Sequence, residues 1–240
     1  VLISGGAVGP LVTADPKATE LYNPATGLFT AYATFTETAS GSGIGTGLAL
    51  PEARQGHTAT KLSTGNVLFV GNSGVNSAAA KLLAYDSTTP TASTWALAGT
   101  MTNTRYNHAA AVLNDNKVLI TGGFGNQTGT SKSVEIYNPT TNAWSPGASM
   151  STDRALHTST KLQDGRVLVV GGYDGLKALT TIEIYDPSAN TWTATSASKV
   201  LNTARAMHTS SLLSSGDVLI VGTYFQTSGT ISKTTEIWRR

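Results

Sequence analysis

The stretch Arg154–Trp192, RALHTSTKLQDGRVLVVGGYDGLKALTTIEIYDPSANTW, holds in one copy the pattern that decides the fold. It begins with an Arg-x-x-His segment and a short strand ending at Leu162. A turn, the β-branched run Val167–Val170 and a Gly-Gly doublet follow. A third strand carries Tyr185 and a fourth carries Trp192. Short β-branched and aromatic runs bounded by Gly, Asn and Asp predict antiparallel strands, so the stretch predicts a four-stranded unit.

The same pattern recurs along the chain with a period of about 50 residues. The β-branched run begins at Val1, Val67, Val118, Val167 and Val218. The polar segment recurs as Arg54/His57, Arg105/His108, Arg154/His157 and Arg205/His208. The turns STGN, NDNK, QDGR and SSGD contain residues that tolerate positive φ, and they predict two-residue hairpins. The sequence therefore predicts an all-β repeat protein.

A Gly-Gly doublet followed in register by Tyr and then Trp resembles the kelch repeat. The second and fifth copies depart from it, with Gly71-Asn72 and Gly222-Thr223 in place of the doublet. The resemblance implies a kelch-type β-propeller of about five blades around a central channel. The first repeat starts at its second strand and the last stops at its third, so we expect incomplete first and last blades. We interpret residues 1–240 as a single domain and as part of a longer polypeptide.

Composition excludes several classes of protein. Without Cys there is no disulfide and no thiolate metal site. No apolar run approaches the ~18–20 residues of a membrane span. A net charge of +2 without basic clusters argues against nucleic-acid binding. Absent Cys and polar, uncharged loops suit a secreted or cell-surface protein; oligomeric state has no signal in the sequence.

The first repeat is longer than the others by the segment Thr36–Ala53. Its Gly and Ser content predicts a flexible loop rather than a buried element. We interpret it as a tolerated insertion, with a lid or contact loop as the alternative.

The arginines are candidate binding residues. Strand order predicts that they lie where one blade passes to the next, on the same face as the loops after the doublets, so four guanidinium groups could surround the channel mouth and bind carboxylate or phosphate. The alternative is pairing with third-strand carboxylates, of which Leu83 replaces one in the second copy. If Arg105 lacks a partner there, it becomes the best ligand-facing arginine. The residues are Arg54, Arg105, Arg154 and Arg205, and the carboxylates Glu20, Glu135, Glu183 and Glu236.

The four histidines occupy one repeat position, which favours packing at the inner strand with a hydrogen bond to neighbouring backbone over metal binding. We expect no metal and no cofactor. Aromatic residues of the third and fourth strands are interpreted as packing between blades. Those outside that pattern are candidates for stacking against a ligand: Tyr106, Phe124, Tyr173, Tyr224 and Phe225.

These observations favour a non-catalytic binding or scaffold module that takes a protein or carbohydrate partner on the loop face around the channel. The kelch resemblance also implies two alternatives. A galactose-oxidase-like copper enzyme needs a Cys cross-linked to Tyr and is excluded, whereas a sugar-processing enzyme similar to sialate epimerases stays open. A structural or adhesive cell-surface domain is a third interpretation.

Overall fold

The computed structural model describes residues 2–4, 19–32, 36–37, 45–52, 54–72, 78–125, 129–195, 200–224 and 231–239. The chain divides into two compact units, Val1–Tyr106 and Asn107–Arg240. Apart from the short 3₁₀ helix Pro90–Ala92, the regular secondary structure of the described residues consists of β-strands. The predicted all-β class is thus confirmed, whereas one closed propeller stays a prediction.

The described part of the first unit contains two antiparallel sheets. The first has the order β1 (Leu2–Ser4), β2 (Thr19–Asn23) and β3 (Leu28–Tyr32). The second has the order β4-β5-β9-β8-β7-β6. Its strands are β4 (Thr36–Glu37), β5 (Gly45–Thr46), β6 (Thr58–Lys61), β7 (Val67–Val70), β8 (Ala79–Ala84) and β9 (Thr94–Thr100).

The second unit contains two complete four-stranded sheets and one sheet with three described strands. The third sheet of the chain consists of β10 (Ala109–Val112), β11 (Val118–Thr121), β14 (Val134–Asn138) and β15 (Ala143–Gly147). A short hairpin, β12 (Phe124–Gly125) and β13 (Gly129–Thr130), lies between β11 and β14. The fourth sheet consists of β16 (Thr158–Lys161), β17 (Val167–Val170), β18 (Ile182–Asp186) and β19 (Thr191–Ala194). The fifth consists of β20 (Thr209–Leu212), β21 (Val218–Tyr224) and β22 (Ile231–Trp238).

All strand pairing is antiparallel, and neighbouring strands of a sheet follow one another in the chain except where β5 pairs with β9 and where the β12–β13 hairpin separates β11 from β14. The first hairpin of the fourth sheet shows why the turns have their composition: Leu162 N donates to Arg166 O at 2.8 Å, and Gly165 N donates to Leu162 O at 3.0 Å. Three residues therefore form the loop, and Gly165 adopts φ +88°. The prediction of two-residue loops was wrong by one residue, because the turn is followed by a left-handed residue that closes a bulge.

Burial is concentrated in the β-branched strands. Every residue of β11 and of β17 is buried, as expected for the second strand of a sheet that is covered on both faces. Apolar side chains from one sheet and its neighbour in sequence form shared clusters in the second unit. In the second unit the core thus lies between consecutive sheets.

The described residues of the segment Thr36–Ala53, 36–37 and 45–52, include two short strands and buried side chains, which corrects the expectation of a flexible loop without a buried element. Strands β4 and β5 extend the second sheet beyond β9, because Thr46 pairs with Thr94. Leu48 and Leu50 are buried against the second sheet. The Gly and Ser content concealed this apolar LAL sequence, which anchors the segment.

Candidate functional site

The Arg154 guanidinium forms a buried ion pair and backbone hydrogen bonds at the start of the fourth sheet. We call such an arrangement of an arginine, its carboxylate and their backbone partners a joint. Its Nη2 donates to Glu183 Oε1 at 2.6 Å, and its Nη1 donates to Gly171 O at 2.7 Å. The second oxygen of Glu183 accepts from Ser151 N at 2.8 Å. Burial lowers the pKa of Arg154, and the Glu183 charge opposes that shift. One ion pair thus connects the segment before β16, the Gly-Gly doublet after β17 and the third strand of the sheet, β18.

The fifth sheet repeats this arrangement with Arg205. Its Nε donates to Glu236 Oε1 at 3.0 Å, and its Nη1 donates to Gly222 O at 2.8 Å. Glu236 also accepts from the backbone N–H groups of Asn202 at 2.7 Å and Thr203 at 3.2 Å. Burial alone would raise the pKa of Glu236, but these hydrogen bonds and the Arg205 charge hold it below its usual value.

The second sheet departs from this pattern at its third strand, β8. The cross-strand pairs are Phe69–Lys81 and Leu83–Trp95 in the second sheet, against Val169–Glu183 and Tyr185–Trp192 in the fourth. Lys81 therefore takes the position of the carboxylate, and Leu83 takes that of the tyrosine. The prediction that Leu83 replaces the acid was wrong by two residues, because it was aligned on Tyr85, which lies beyond the end of β8.

A carboxylate from the incoming chain replaces the missing one. Arg54 Nη2 pairs with Glu52, and Arg54 Nη1 donates to Gly71 O at 2.9 Å. Pro51 stands three residues before the arginine. In the joints of Arg154 and Arg205 this position donates its backbone N–H to the third-strand carboxylate, and proline has no N–H to donate. Burial lowers the pKa of the buried Lys81; Glu52 opposes the shift and Arg54 adds to it. Two cations share one carboxylate in this joint.

The four candidate arginines are all buried, with exposures between 0 and 2%. Arg105 is buried like the others and is not without a partner, so it is not the exposed guanidinium that a missing carboxylate was predicted to leave. The structure offers no exposed guanidinium at Arg54, Arg105, Arg154 or Arg205. Ligand contact by these residues stays a prediction.

Glycine at the start of the doublet is required by the next Arg-x-x-His segment. A Cβ on Gly122, which has φ +58°, would lie 2.2 Å from Arg154 O and 2.8 Å from His157 Cε1. Gly123 N donates to the same carbonyl at 2.9 Å. The doublet is therefore the surface on which the next segment packs, and the two motifs of the repeat recur together for this reason.

The second copy keeps this contact despite its altered doublet. Gly71 retains positive φ, at +83°, and Asn72 N donates to Arg105 O at 3.2 Å. The bond uses only backbone atoms, so the second doublet position tolerates a side chain where space permits.

The histidines are buried polar groups of the same joints. The Nε2 atom of His157 lies 2.8 Å from Thr121 Oγ1, and that of His208 lies 3.0 Å from Thr158 Oγ1. For these two, the predicted backbone partner was wrong: a hydroxyl of the preceding sheet takes the bond. Burial, assisted by the charge of Arg205, lowers the pKa of His208 to about 4.

The third position of the Arg-x-x-His segment has a left-handed backbone in every copy. The φ angles are +66°, +51°, +59° and +56° at Gly56, Asn107, Leu156 and Met207. Glycine and asparagine adopt this conformation readily, whereas other residues are strained by ~1–2 kcal/mol. In the second unit the position forms a backbone ladder, with Leu156 N donating to Asn107 O at 2.8 Å and Met207 N donating to Leu156 O at 2.9 Å.

The loops that follow the doublets lie beside this ladder. The rings of Phe124 and Tyr173 are 6.4 Å apart between centroids. Tyr173 exchanges two backbone hydrogen bonds with Ala155, the residue before Leu156, at 2.8 and 2.9 Å. These contacts bring two predicted binding residues next to a strained apolar residue that sequence reasoning missed.

Leu176 extends this surface on a rigid turn. The Oδ1 atom of Asp174 accepts from the backbone N–H groups of Leu176 and Lys177, both at 2.8 Å. Thr130 Oγ1 donates to Asp174 O at 2.8 Å, and Tyr173 Oη donates to Gly175 O at 2.8 Å. Leu176 is 84% exposed although its turn is held from both sides.

We call these residues the apolar loop surface: Phe124, Leu156, Tyr173, Leu176 and Met207. Phe124, Leu156 and Tyr173 are half-buried, and Met207 is 59% exposed. The other predicted aromatic residues lie elsewhere: Tyr106 is half-buried in the first unit, Tyr224 is described only by its backbone in β21, and Phe225 lies outside the described residues.

Among the described residues, no group of three or more His, Asp or Glu side chains is placed to hold a metal ion. No helix in the described part of the chain is long and apolar enough to cross a membrane.

Meander sheets of one repeated design, linked by buried Arg–carboxylate joints, define a β-propeller-like repeat protein. The family model described as the KLHDC2/KLHL20/DRC7 Kelch-repeats domain matches residues 25–223, and the chain belongs to the Kelch-repeat family. Kelch-repeat domains are generally protein-interaction scaffolds and typically non-catalytic binding modules. No curated protein matches the sequence.

Proposed function

We propose that the chain is a non-catalytic binding module whose protein partner docks on the apolar loop surface. The observation that carries the proposal is the strained backbone at Leu156 and Met207. Both positions are occupied by large apolar residues where Gly56 and Asn107 show that unstrained residues fit the same repeat. Strained backbone concentrates at functional sites, and exposed apolar groups beside aromatic rings favour a protein ligand.

The physical character of the surface supports a protein rather than an anionic ligand. The candidate arginines are all buried, three of them in ion pairs, whereas Leu176 and Met207 are exposed. A hydrogen-bonded turn and a backbone ladder hold the backbone of these two residues, so little backbone conformational entropy is lost when a partner covers them.

The first experiment separates binding from stability. In Met207→Gly the left-handed strain of ~1–2 kcal/mol disappears, while the added chain entropy of glycine costs about 0.5–1 kcal/mol. We expect the free energy of unfolding to stay constant or to rise by up to about 1 kcal/mol. Partner binding should nevertheless weaken. A clear loss of stability would show that Met207 packs for structural reasons and would contradict the proposal.

The second experiment identifies the partner by comparison of variants. Quantitative pull-down from cells that contain the natural partner should give a protein that the unmodified chain captures and that Leu176→Asp and Met207→Asp both lose. Leu212→Asp is the matched control, because Leu212 is also an exposed leucine but lies at the far end of β20. A partner retained by both surface variants, or lost with the control as well, would refute docking on this surface.

A further inference from the structure

One ladder position of the third strand carries a carboxylate in every sheet except the second. In the four other sheets, the residue opposite the middle of the β-branched strand is a glutamate. In the second sheet the same position pairs Phe69 with Lys81. The substitution reverses the charge, whereas a neutral residue would have been enough to remove it, so the lysine needs an explanation of its own. The glutamate pairs are Ile3–Glu20, Ile120–Glu135, Val169–Glu183 and Ile220–Glu236.

The positive charge of Lys81 has no direct partner in the described part of the chain. The side chain is buried, with 4% exposure. Its Nζ forms no hydrogen bond and no ion pair with a described residue; Glu52 attracts it and Arg54 repels it through space. Glu52 already pairs with Arg54. An ammonium without a partner is costly to bury, so the joint lacks one negative charge.

The Arg54 joint is also open at this side. The carboxylate side chain of Glu52 is 31% exposed, whereas those of Glu183 and Glu236 in the equivalent joints are 1 and 13% exposed. The Lys81 ammonium lies nearer the surface than the Arg54 guanidinium does. A small ligand can therefore reach the ammonium beside Glu52 while the guanidinium stays covered.

We propose that Lys81 binds the carboxylate group of a ligand, which supplies the negative charge that β8 does not. One carboxylate gives the joint two anions for its two cations, as a phosphate dianion would not. The low exposure of Lys81 restricts the ligand to a carboxylate on a narrow stem, such as acetate or an acidic side chain. The site belongs to the first unit, so it does not depend on the function proposed for the apolar loop surface.

The probe for the first test is acetate. Thermal unfolding of the intact chain is measured in sodium acetate and in sodium chloride of equal ionic strength, so that general screening cancels. We expect acetate at about ten times its Kd to raise the Tm by about 3 °C or more above that in chloride. Lys81→Met should abolish the difference. Lys161→Met, the same substitution at an exposed lysine of β16, should retain it.

A second measurement locates the bound acetate. In a chain labelled with ¹³C-lysine, the Cε signal of Lys81 is assigned by its absence from Lys81→Met. This signal should shift on titration with acetate and saturate with the Kd that the unfolding experiment gives. The signals of the exposed lysines should not saturate in the same range.

Glu52→Gln gives a result of the opposite sign. The variant removes the carboxylate that competes for Lys81, so acetate should bind about tenfold more tightly or better. Acetate should also restore part of the stability that this variant loses, which a purely structural role of Glu52 would not produce. If Glu52→Gln does not fold, the comparison of Lys81→Met with Lys161→Met still tests the site.

Two results would overturn the proposal: equal Tm values in acetate and chloride, or an acetate effect that persists in Lys81→Met. The source of the carboxylate is identified with N-acetylglutamate amide, which carries a glutamate side chain in peptide form. Binding at least about tenfold tighter than that of acetate assigns the site to an acidic side chain of a polypeptide. Binding no tighter than that of acetate assigns it to small free carboxylates.

Discussion

Neutralising Glu183 tests the role that the structure gives to the buried joints. In Glu183→Gln the side chain keeps its shape, but Arg154 loses the charge partner that lies 2.6 Å from its Nη2. The two side chains are 0 and 1% exposed, so water cannot replace that partner. Removing one member of a buried ion pair costs about 3–5 kcal/mol. We expect the free energy of unfolding to fall by that amount.

The exposed ion pair Arg166–Asp164 is the matched control. Its Nη2–Oδ2 distance is 2.7 Å, close to that of the buried pair, but its side chains are 37 and 20% exposed. Asp164→Asn should therefore cost no more than about 1 kcal/mol. Urea unfolding monitored by tryptophan fluorescence and by circular dichroism measures both variants, and coincident curves from the two probes justify a two-state treatment.

The difference in free energy of unfolding between Glu183→Gln and Asp164→Asn tests whether the buried ion pair connects the segment before β16 to the fourth sheet. If Glu183→Gln loses less than about 1 kcal/mol, the buried pair is not what connects the incoming chain to the fourth sheet, and the reasoning on all the joints fails. A loss of 3–5 kcal/mol in Glu183→Gln together with an unperturbed Asp164→Asn would also show that these arginines are structural groups.

Three further predictions concern the same joints. The pKa of His208 is about 4 in the folded state and about 6.5 in the unfolded state, so the unfolded state binds more protons between these two pH values. The free energy of unfolding should therefore fall by up to about 3 kcal/mol from pH 7 to pH 4. Urea unfolding of His208→Gln should show a smaller dependence on pH. Gly122→Ala should cost about 3 kcal/mol or more from its collision and its positive φ, whereas Gly65→Ala, with open space around it, should cost about 1 kcal/mol, as measured by thermal melts. Glu52→Gln should destabilise the chain because it leaves two buried cations uncompensated, and adding Lys81→Met should recover part of the loss; equal stability of the single and double variants would contradict that coupling.

The strands of each sheet were predictable because they depend on local signals. The β-branched runs and their period of about 50 residues appear in the structure as the sequence indicates, and the described part of the first and of the last sheet has three strands. The repeat pattern did not predict the strand register of β8 in the second copy. Aligning the second copy on Tyr85 puts Leu83 at the position of the third-strand carboxylate. The cross-strand pairing shows instead that Lys81 lies at that position. The ion pair between Glu52 and Arg54 spans only two residues, but it was missed because only the register of β8 shows that the third strand has no carboxylate for Arg54.

The apolar loop surface was half predictable. Phe124 and Tyr173 were found because they interrupt the repeat with aromatic rings. Leu156 and Met207 were missed because neither residue type signals a left-handed backbone. A signal was nevertheless available: Gly56 and Asn107 occupy the same position of other copies, and these residue types tolerate positive φ. Comparing copies by position, rather than residues by type, would have indicated the strained pair.

The joints also explain why the third residue of the Arg-x-x-His segment can vary from copy to copy while the contact between sheets is kept. The contact between one sheet and the next uses backbone atoms, such as Gly123 N on Arg154 O, together with the arginine and histidine side chains. The third residue of the segment contributes its backbone, so its side chain can change without loss of the joint, whereas the second residue is buried at Ala155 and Ala206. The third position is then fixed in direction by its ladder and unrestricted in chemistry. A repeat protein built in this way can acquire a partner at Leu156 or Met207 with a strain of about 1–2 kcal/mol each, which is small beside the 3–5 kcal/mol that one buried ion pair protects.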